Sequence, residues 1–246
     1  MKIKLIISFD GSAYCGWQVQ KNALSVQEKL QDSVEQCLGK RYNITGCSRT
    51  DGGVHANNFC CAVSIENDDI SIPESKLPIA LNHYLPEDIS VKSAMYADDS
   101  FHPRYDVKYK EYEYLIYNSE IRSPFLHGKA FQYPKELDVE LMEKTAQLFV
   151  GEHDFASFMS SGSSVESTVR EIYYFHITKE NSLVRINIAG NGFLYNMVRI
   201  LVGTLIEVSE AKKDISDIPN IIEARDRKKA GFTAPPYALY LNKVVY

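Results

Sequence analysis

The chain opens with Lys2-Ile3-Lys4-Leu5-Ile6-Ile7-Ser8-Phe9, in which every second residue is apolar and shares one face, as in a half-buried strand. A Gly-containing loop then leads to Ser25-Val26-Gln27-Glu28, a capping box that predicts the start of a helix. Apolar residues at helical spacing continue to Leu38, and Gly39 is expected to end the helix. A strand followed by an amphipathic helix predicts the first unit of an α+β lobe.

The elements after this helix follow the same order in both halves of the chain. The first half adds predicted strands over Tyr42–Gly46, 59–65 and Ile89–Tyr96, with a short helix before the last of them. The second half has predicted strands over Asp106–Tyr117, Val169–Thr178, Leu183–Ala189 and Leu239–Val245, and helices over 138–151 and Phe193–Val208. Each half therefore predicts a β-α-β-β-α-β lobe, residues 1–105 and residues 106–246, with its helices on one face of a sheet.

Composition narrows the class of protein. The 246 residues are 45% hydrophobic and 24% charged, which is typical of globular proteins. The net charge of −5 argues mildly against broad nucleic-acid binding, although a local basic groove can exist on an acidic chain. The sequence shows neither a signal-peptide layout nor an apolar run near the roughly 20 residues of a membrane helix. We therefore expect a cytoplasmic protein that does not bind membranes.

The cysteines do not follow a metal-binding or disulfide pattern. There are five, an odd number without C-x-x-C spacing: Cys15, Cys37, Cys47, Cys60 and Cys61. We favour reduced, mostly buried thiols. The alternative is a zinc site built from Cys47, Cys60, Cys61 and His55. Phosphate-binding glycine loops, zinc-protease motifs and nucleophile elbows are also missing, so we expect no metal and no cofactor.

The most unusual segment is Cys47-Ser48-Arg49-Thr50-Asp51-Gly52-Gly53-Val54-His55-Ala56, between two predicted strands. A carboxylate beside two glycines can be presented on a tight, exposed turn, because glycine tolerates positive φ. Arg49 and His55 add a cation and a titratable ring. The alternative is an ordinary β-turn in which Asp51 bonds only its own backbone.

Two further residues are candidates for chemistry. Arg199 lies in an apolar predicted helix, where burial of a cation costs free energy unless a carboxylate pairs with it. It either forms a structural ion pair or holds a functional carboxylate ionised, and Asp51 is the natural candidate. Tyr112 belongs to a tyrosine-rich strand, and its ring either fills the core or stacks on a ligand.

Read together, these segments resemble the tRNA pseudouridine synthase A family. The motifs that carry the resemblance run in order along nearly the whole chain: Phe9-Asp10-Gly11, Gly16-Trp17-Gln18, Arg49-Thr50-Asp51-Gly52-Gly53-Val54-His55, Phe101-His102-Pro103-Arg104, Tyr112-Glu113-Tyr114, Gly151-Glu152-His153-Asp154-Phe155, Thr168-Val169-Arg170, Asn191-Gly192-Phe193, Met197-Val198-Arg199 and Thr233-Ala234-Pro235-Pro236. The resemblance implies a pseudouridine synthase fold: two ferredoxin-like lobes, helices packed on a continuous mixed or antiparallel sheet, and a catalytic cleft between the lobes.

The same resemblance implies the activity, that of an isomerase. The enzyme converts uridine to pseudouridine at positions 38–40 of the tRNA anticodon arm, without a cofactor or metal, and acts as a homodimer. Asp51 corresponds to the essential aspartate, Tyr112 to the active-site tyrosine, and Arg199 to the partner of the aspartate. Arg49 would hold the target nucleotide out of the base stack.

The remaining expected RNA contacts are basic or titratable side chains from both lobes: His55, Arg104, Lys108, Lys110, Arg170 and the run 225–229. Three alternatives compete with the synthase. One is an RNA-binding or RNA-chaperone protein without chemistry. Another is a paralogue with a shifted RNA target, since four residues depart from the family pattern: Ser48, Gly52, Glu111 and Glu113. The third is a glycosidase, but no clear second acid accompanies Asp51.

Overall fold

The computed structural model describes residues 1–65, 70, 72–162 and 165–246. Its ten strands are β1 (Lys2–Phe9), β2 (Asn43–Gly46), β3 (His55–Ser64), β4 (Ile89–Ala97), β5 (Tyr109–Asn118), β6 (Phe131–Tyr133), β7 (Gly151–Asp154), β8 (Val169–Glu180), β9 (Leu183–Gly190) and β10 (Leu239–Val245). Its α-helices are α1 (Val26–Leu38), α2 (Leu77–Asn82), α3 (Val139–Gln147), α4 (Met197–Ser209) and α5 (Ile218–Ala224). The chain divides into two compact units, residues 1–108 with 240–246, and residues 109–239.

In the first unit, β1 lies at the centre of the sheet. It pairs antiparallel with β3 on one side and with β4 on the other. The alternating apolar side chains of β1 are buried, as predicted, because one face of the strand packs into the core. Strand β2 pairs antiparallel with one end of β3, and β10 runs parallel to the other end, with Tyr240 opposite His55.

Helix α1 begins and ends at the predicted residues. The Ser25 hydroxyl accepts the Glu28 N–H at 3.3 Å, and Gly39 adopts a left-handed conformation with φ of 77° at the C-cap. Val26, Leu30 and Val34 are buried, so the helix presents one apolar face to the core. The local sequence was sufficient to predict α1 because its capping residues and its apolar spacing indicate the same helix.

In the second unit, the strand order is β5-β9-β8-β7, and β6 pairs parallel with β5. The Asp138 carboxylate accepts the Leu141 N–H at 2.9 Å and caps α3, as predicted. Helix α4 is almost entirely buried, but it starts at residue 197 and not at the predicted residue 193. The cause is Asn196, whose positive φ of 62° interrupts the helical backbone.

Short elements and one long-range pairing differ from the sequence prediction. Strands β6 and β7 and helix α5 were not predicted, because segments of three to seven residues carry little periodicity. Strand β3 begins four residues before the predicted start at residue 59. The sequence placed 239–246 in the second lobe, whereas β10 pairs with β3 of the first unit. Within the described residues, no helix is long and apolar enough to cross a membrane.

Candidate active site

Asp51 lies on a tight turn between β2 and β3. The Val54 N–H donates to the Asp51 carbonyl at 3.2 Å, and Gly53 has a φ of 80°, as in a turn of type II. Asp51 is half-buried, while Gly52 is exposed at the tip. The predicted tight turn is therefore present, and its two glycines leave no Cβ atoms beside the carboxylate.

The loop after β1 holds this turn in place through the backbone. The Gly53 N–H donates to the Tyr14 carbonyl at 3.1 Å, and the Trp17 N–H donates to the Thr50 carbonyl at 3.2 Å. Gly16 has a φ of 99°, and a Cβ atom there would lie 2.3 Å from the Thr50 carbonyl oxygen. Glycine is thus required both for the conformation and for the close approach of the two backbones.

Trp17 anchors the same loop in the core. It is 3% exposed, and its ring stacks on Phe59 with centroids 4.2 Å apart. Gly46 lies against the indole, since a Cβ atom there would be 2.6 Å from Trp17 Nε1. The single Trp of the chain therefore fills the core beneath this loop and fixes the base of the Asp51 turn.

His55 is buried immediately after the turn. The side chain is 2% exposed, and its ring stacks on Tyr240 at 4.6 Å. Its Nδ1 lies 3.0 Å from both the Gly11 nitrogen and Asp10 Oδ1, so the tautomer decides whether it accepts from the amide or donates to the carboxylate. Either bond ties the loop after β1 to the start of β3. These contacts favour a positioning role for His55 over the predicted direct contact with RNA, which stays a prediction.

In the second unit, Tyr112 sits in the middle of β5. It is 7% exposed, pairs across the sheet with Ile188, and meets the edge of Phe193 at 5.2 Å and 87°. Tyr114, two residues on, is fully buried and donates its hydroxyl to the Pro235 carbonyl at 2.9 Å. Burial raises the pKa of the Tyr114 hydroxyl far above its usual value, so this group acts as a structural donor.

Arg199 lies in the first turn of α4 and is only half-buried. Its Nε donates to the Ala234 carbonyl at 2.7 Å, and its Nη1 donates to Asn196 Oδ1 at 2.7 Å. The Ala234 N–H in turn donates to the Arg199 carbonyl at 3.1 Å. These two hydrogen bonds orient the guanidinium at the start of α4. Asn196 and Ala234 were not identified as site residues from the sequence, although Ala234 lies inside one quoted motif and Asn196 immediately precedes another.

Comparison with known proteins settles the family. The profile described as "tRNA pseudouridine synthase" matches residues 5–106 and 145–246. The chain belongs to the tRNA pseudouridine synthase family. Curated relatives named "tRNA pseudouridine synthase A" include those of Ruminiclostridium cellulolyticum, 47% identical over 246 residues covering 100% of this chain and 99% of the relative, and Acetivibrio thermocellus, 46% identical over 244 residues covering 99% of each. The relative from Caldicellulosiruptor bescii is 44% identical with the same coverage as the latter.

The family assignment confirms the predicted isomerase class and the predicted α+β synthase fold. Among solved structures, a Cbf5-Nop10-Gar1 complex aligns with a TM-score of 0.36 and 11% identity over 82% of this chain and 53% of that one. That likeness is too low to support an argument. The family evidence therefore comes from sequence alignments spanning almost the whole chain.

The expected RNA contacts of this synthase differ in exposure and in their bonds. Arg49, Arg104 and Lys108 are exposed, and Lys110 is half-buried. Arg170 is also half-buried and donates from Nη1 to the carbonyls of Ser167 and Val169 at 3.0 and 2.6 Å. Burial lowers the pKa of the Arg170 guanidinium, which nevertheless stays charged at neutral pH. Arg49, Arg104 and Lys108 belong to the first unit; Lys110 and Arg170 belong to the second.

Part of the basic run 225–229 is already engaged within the second unit. Arg225 Nε lies 2.9 Å from Asp154 Oδ2, and Arg227 donates to the Gly231 carbonyl at 2.8 Å. These contacts show how two of the predicted RNA-binding cations serve the fold. Lys228 and Lys229 are exposed.

The cysteines are free thiols. Cys47, Cys60 and Cys61 are buried, Cys37 is intermediate and Cys15 is exposed. Burial raises the pKa of the Cys60 and Cys61 thiols, so both stay protonated at neutral pH. Among the residues that the structure describes, no group of three His, Cys, Asp or Glu side chains is arranged to hold a metal ion.

Proposed function

We propose that this chain is a tRNA pseudouridine synthase that isomerises uridine at positions 38–40 of the anticodon arm. The observation that carries the proposal is the Asp51 turn, clamped by the Tyr14 and Trp17 backbones in a chain of this family. A carboxylate on a preorganised turn needs no rearrangement when a nucleotide arrives. The turn therefore suits a reaction in which a single carboxylate must contact the ribose of one nucleotide.

The reaction exchanges one bond of the ribose for another. The N1–C1′ bond of uridine breaks, the free uracil turns over, and C5 bonds to C1′. C5 then loses its proton and N1 gains one, so no electrons are lost or gained and no redox cofactor is needed. Asp51 assists either by attacking the nucleoside covalently or by removing a proton from the ribose, and both roles require the ionised carboxylate.

We assign supporting roles to three further residues. Tyr112 would contact the uracil and take part in proton removal from C5, since its ring is held by Phe193 in a rigid strand. Arg199 would supply positive charge that keeps Asp51 ionised, since two hydrogen bonds hold its guanidinium in a defined orientation. Arg49, exposed beside the Asp51 turn, would hold the extruded nucleotide out of the stack.

The resemblance also leads us to propose a homodimer that works in the cytoplasm on the anticodon arm of tRNA. A second subunit would add basic side chains to a chain whose net charge is −5. Sedimentation of the purified protein with and without tRNA tests the dimer. A monomer in both conditions would contradict it.

The Asp51→Asn variant tests the proposed chemistry. Release of tritium from tRNA labelled at uridine C5 reports turnover, because that position loses its hydrogen. The variant should lose at least a thousandfold in rate and still bind tRNA, since the amide preserves the shape of the side chain but cannot act as a base or nucleophile. Asp32→Asn, on the exposed face of α1, is the matched control and should keep the wild-type rate.

The alternative protein without chemistry is distinguished by the same assay. An RNA-binding module would release no tritium in the wild-type form and would bind tRNA equally with either substitution. Normal turnover by Asp51→Asn would instead show that the catalytic acid lies elsewhere. Mapping pseudouridine along an unmodified tRNA transcript then separates the 38–40 target from that of a paralogue.

A further inference from the structure

Tyr105 is a large aromatic side chain held almost entirely in solvent. It is 76% exposed, although it lies only four residues before β5. Its ring stacks on His102 with centroids 4.2 Å apart and an interplanar angle of 26°. The Arg104 guanidinium carbon lies 6.0 Å from the same ring. The His102 imidazole thus covers one face of the tyrosine and the Arg104 cation lies over the ring at a larger distance, while most of the Tyr105 side chain remains in solvent.

The loop that presents Tyr105 is bonded at nearly every residue. The His102 N–H donates to Asp106 Oδ2 at 2.8 Å, and the Asp106 N–H donates back to the His102 carbonyl at 3.1 Å. His102 Nδ1 accepts the N–H groups of Arg104 and Tyr105 at 3.1 and 3.2 Å. These bonds fix the backbone on both sides of the exposed ring, so binding a ligand there would cost little ordering of the loop.

Tyr246, the last residue of the chain, contacts the same loop. The Tyr246 hydroxyl donates to the Pro103 carbonyl at 2.7 Å, and its ring packs against Phe101 at 5.2 Å. The Lys4 ammonium lies 4.1 Å from the centre of the Tyr246 ring and 4.9 Å from that of Phe101. Burial raises the pKa of the Tyr246 hydroxyl well above its usual value, so this group remains a donor.

We infer that the loop of His102, Arg104 and Tyr105, here called the Tyr105 platform, is a binding site for an unpaired or terminal RNA base, which stacks on the open face of Tyr105. This inference rests on the proposed function, because it assumes that RNA is the substrate. A rigid, exposed aromatic ring with an arginine beside it matches the chemistry of base stacking, in which every base offers a π-face. An exposed tyrosine buries little apolar surface and so adds little to the stability of the fold. Several hydrogen bonds nevertheless hold the loop in the conformation that exposes its ring.

The Tyr105 platform is remote from the Asp51 turn. Strand β10 pairs with β3 at its start, where Tyr240 lies opposite His55, and its other end leads to Tyr246, which contacts the platform loop. Lys4, which lies over the Tyr246 ring, pairs with Ala62, seven residues along β3 from His55. Six residues of extended chain span about 20 Å. The base held by Tyr105 is therefore not the one that reacts, and the platform should contribute to tRNA affinity and KM but not to the rate at saturation.

Base stacking and phosphate binding have different salt dependences, and this gives the test. Binding of an unmodified tRNA transcript is measured over a salt series, and turnover by tritium release, for Tyr105→Ala, Tyr105→Phe and Arg104→Ala. Tyr105→Ala should weaken tRNA binding about fivefold or more with an unchanged salt slope, because a lost stack costs on the order of 1–3 kcal/mol per base. Tyr105→Phe should bind like the wild type, and Arg104→Ala should lower the slope by about one unit if it contacts a phosphate.

Tyr84 provides the matched control. It is 44% exposed and also lies beside a histidine, His83, but edge-on at 79° and at the end of α2. Tyr84→Ala should keep both the wild-type affinity and the wild-type rate at saturating tRNA. Unchanged affinity in Tyr105→Ala, with an active wild type, would overturn the platform and leave the proposed function standing. An inactive wild type would instead contradict the proposed function itself.

Discussion

Gly16→Ala tests how closely catalysis depends on the position of the Asp51 turn. The new Cβ atom would lie 2.3 Å from the Thr50 carbonyl oxygen, about 0.7 Å inside the 3.0 Å that real Cβ atoms keep. Both atoms belong to backbone, so neither can rotate out of the way. The loop after β1 and the Asp51 turn must move apart by at least that distance, which also stretches the bond from the Trp17 N–H to Thr50.

The expected magnitude follows from that displacement. A misplacement of about 1 Å in a preorganised site costs up to about a hundredfold in rate, so a fall of ten- to a hundredfold in kcat is expected. The φ of 99° adds a conformational cost of about 1–2 kcal/mol to the stability loss, because alanine disfavours positive φ. Affinity for tRNA should change little, since the exposed basic side chains are untouched.

Gly39→Ala separates the two effects. Gly39 also has positive φ, 77°, but a Cβ atom there would meet nothing within 4 Å. It should therefore lose about 1 kcal/mol in stability and keep full activity. Tritium release at saturating tRNA gives kcat, and thermal unfolding gives stability. A Gly16→Ala protein that is folded and turns over within twofold of the wild type would show that the contact with Thr50 does not position the catalytic acid.

Two further predictions concern charged groups. Arg199→Met should lower turnover at least tenfold and move the acid limb of the pH–rate profile upward, because the proposed counter-charge of Asp51 is lost; an unchanged profile would remove that pairing. Hydrogen bonds from Lys135 and Lys212 lower the pKa of the Glu210 carboxylate from 4.5 to about 2. Because its pKa is depressed on folding, Glu210 stabilises the protein above about pH 4.5 and loses this effect as the pH falls towards 2. Glu210→Gln should therefore lower the free energy of unfolding, measured in urea, by about 1–2 kcal/mol at pH 7 and by almost nothing near pH 2. The loss at pH 7 is small because both lysines are largely exposed to solvent. A difference that stays constant across pH would contradict this.

Much of the candidate site could be predicted because its signals are local. The Asp51 turn needs two glycines within three residues of the acid, and those glycines stand in the sequence next to it. Helix α1 likewise has its cap, its apolar stripe and its terminal glycine within fifteen residues, Ser25–Gly39. Where the chemistry and the backbone geometry are encoded in one short stretch, the residues themselves determine the outcome.

The contacts that the sequence could not reveal are those that depend on distant partners. The predicted contact of His55 with RNA stays a prediction, whereas its stacking on Tyr240, 185 residues later in the chain, is seen only in the fold. The Arg199 guanidinium is expected to pair with an acid, and it also donates to the Ala234 carbonyl, a contact that no side-chain pattern can reveal. A backbone oxygen is identical at every residue, so only the fold decides which one a cation reaches.

The sequence alone determined where eight of the ten described strands and the four helices α1 to α4 lie, and that an acid lies on a glycine turn. Alternation and helical spacing record burial directly, since each apolar side chain must leave water. Only the tertiary structure decided that β10 pairs with β3, that the loop after β1 clamps the Asp51 turn, and that Tyr246 supports the Tyr105 platform. These contacts join backbones or ends far apart in sequence, and any strand edge offers the same donors and acceptors until packing selects its partner.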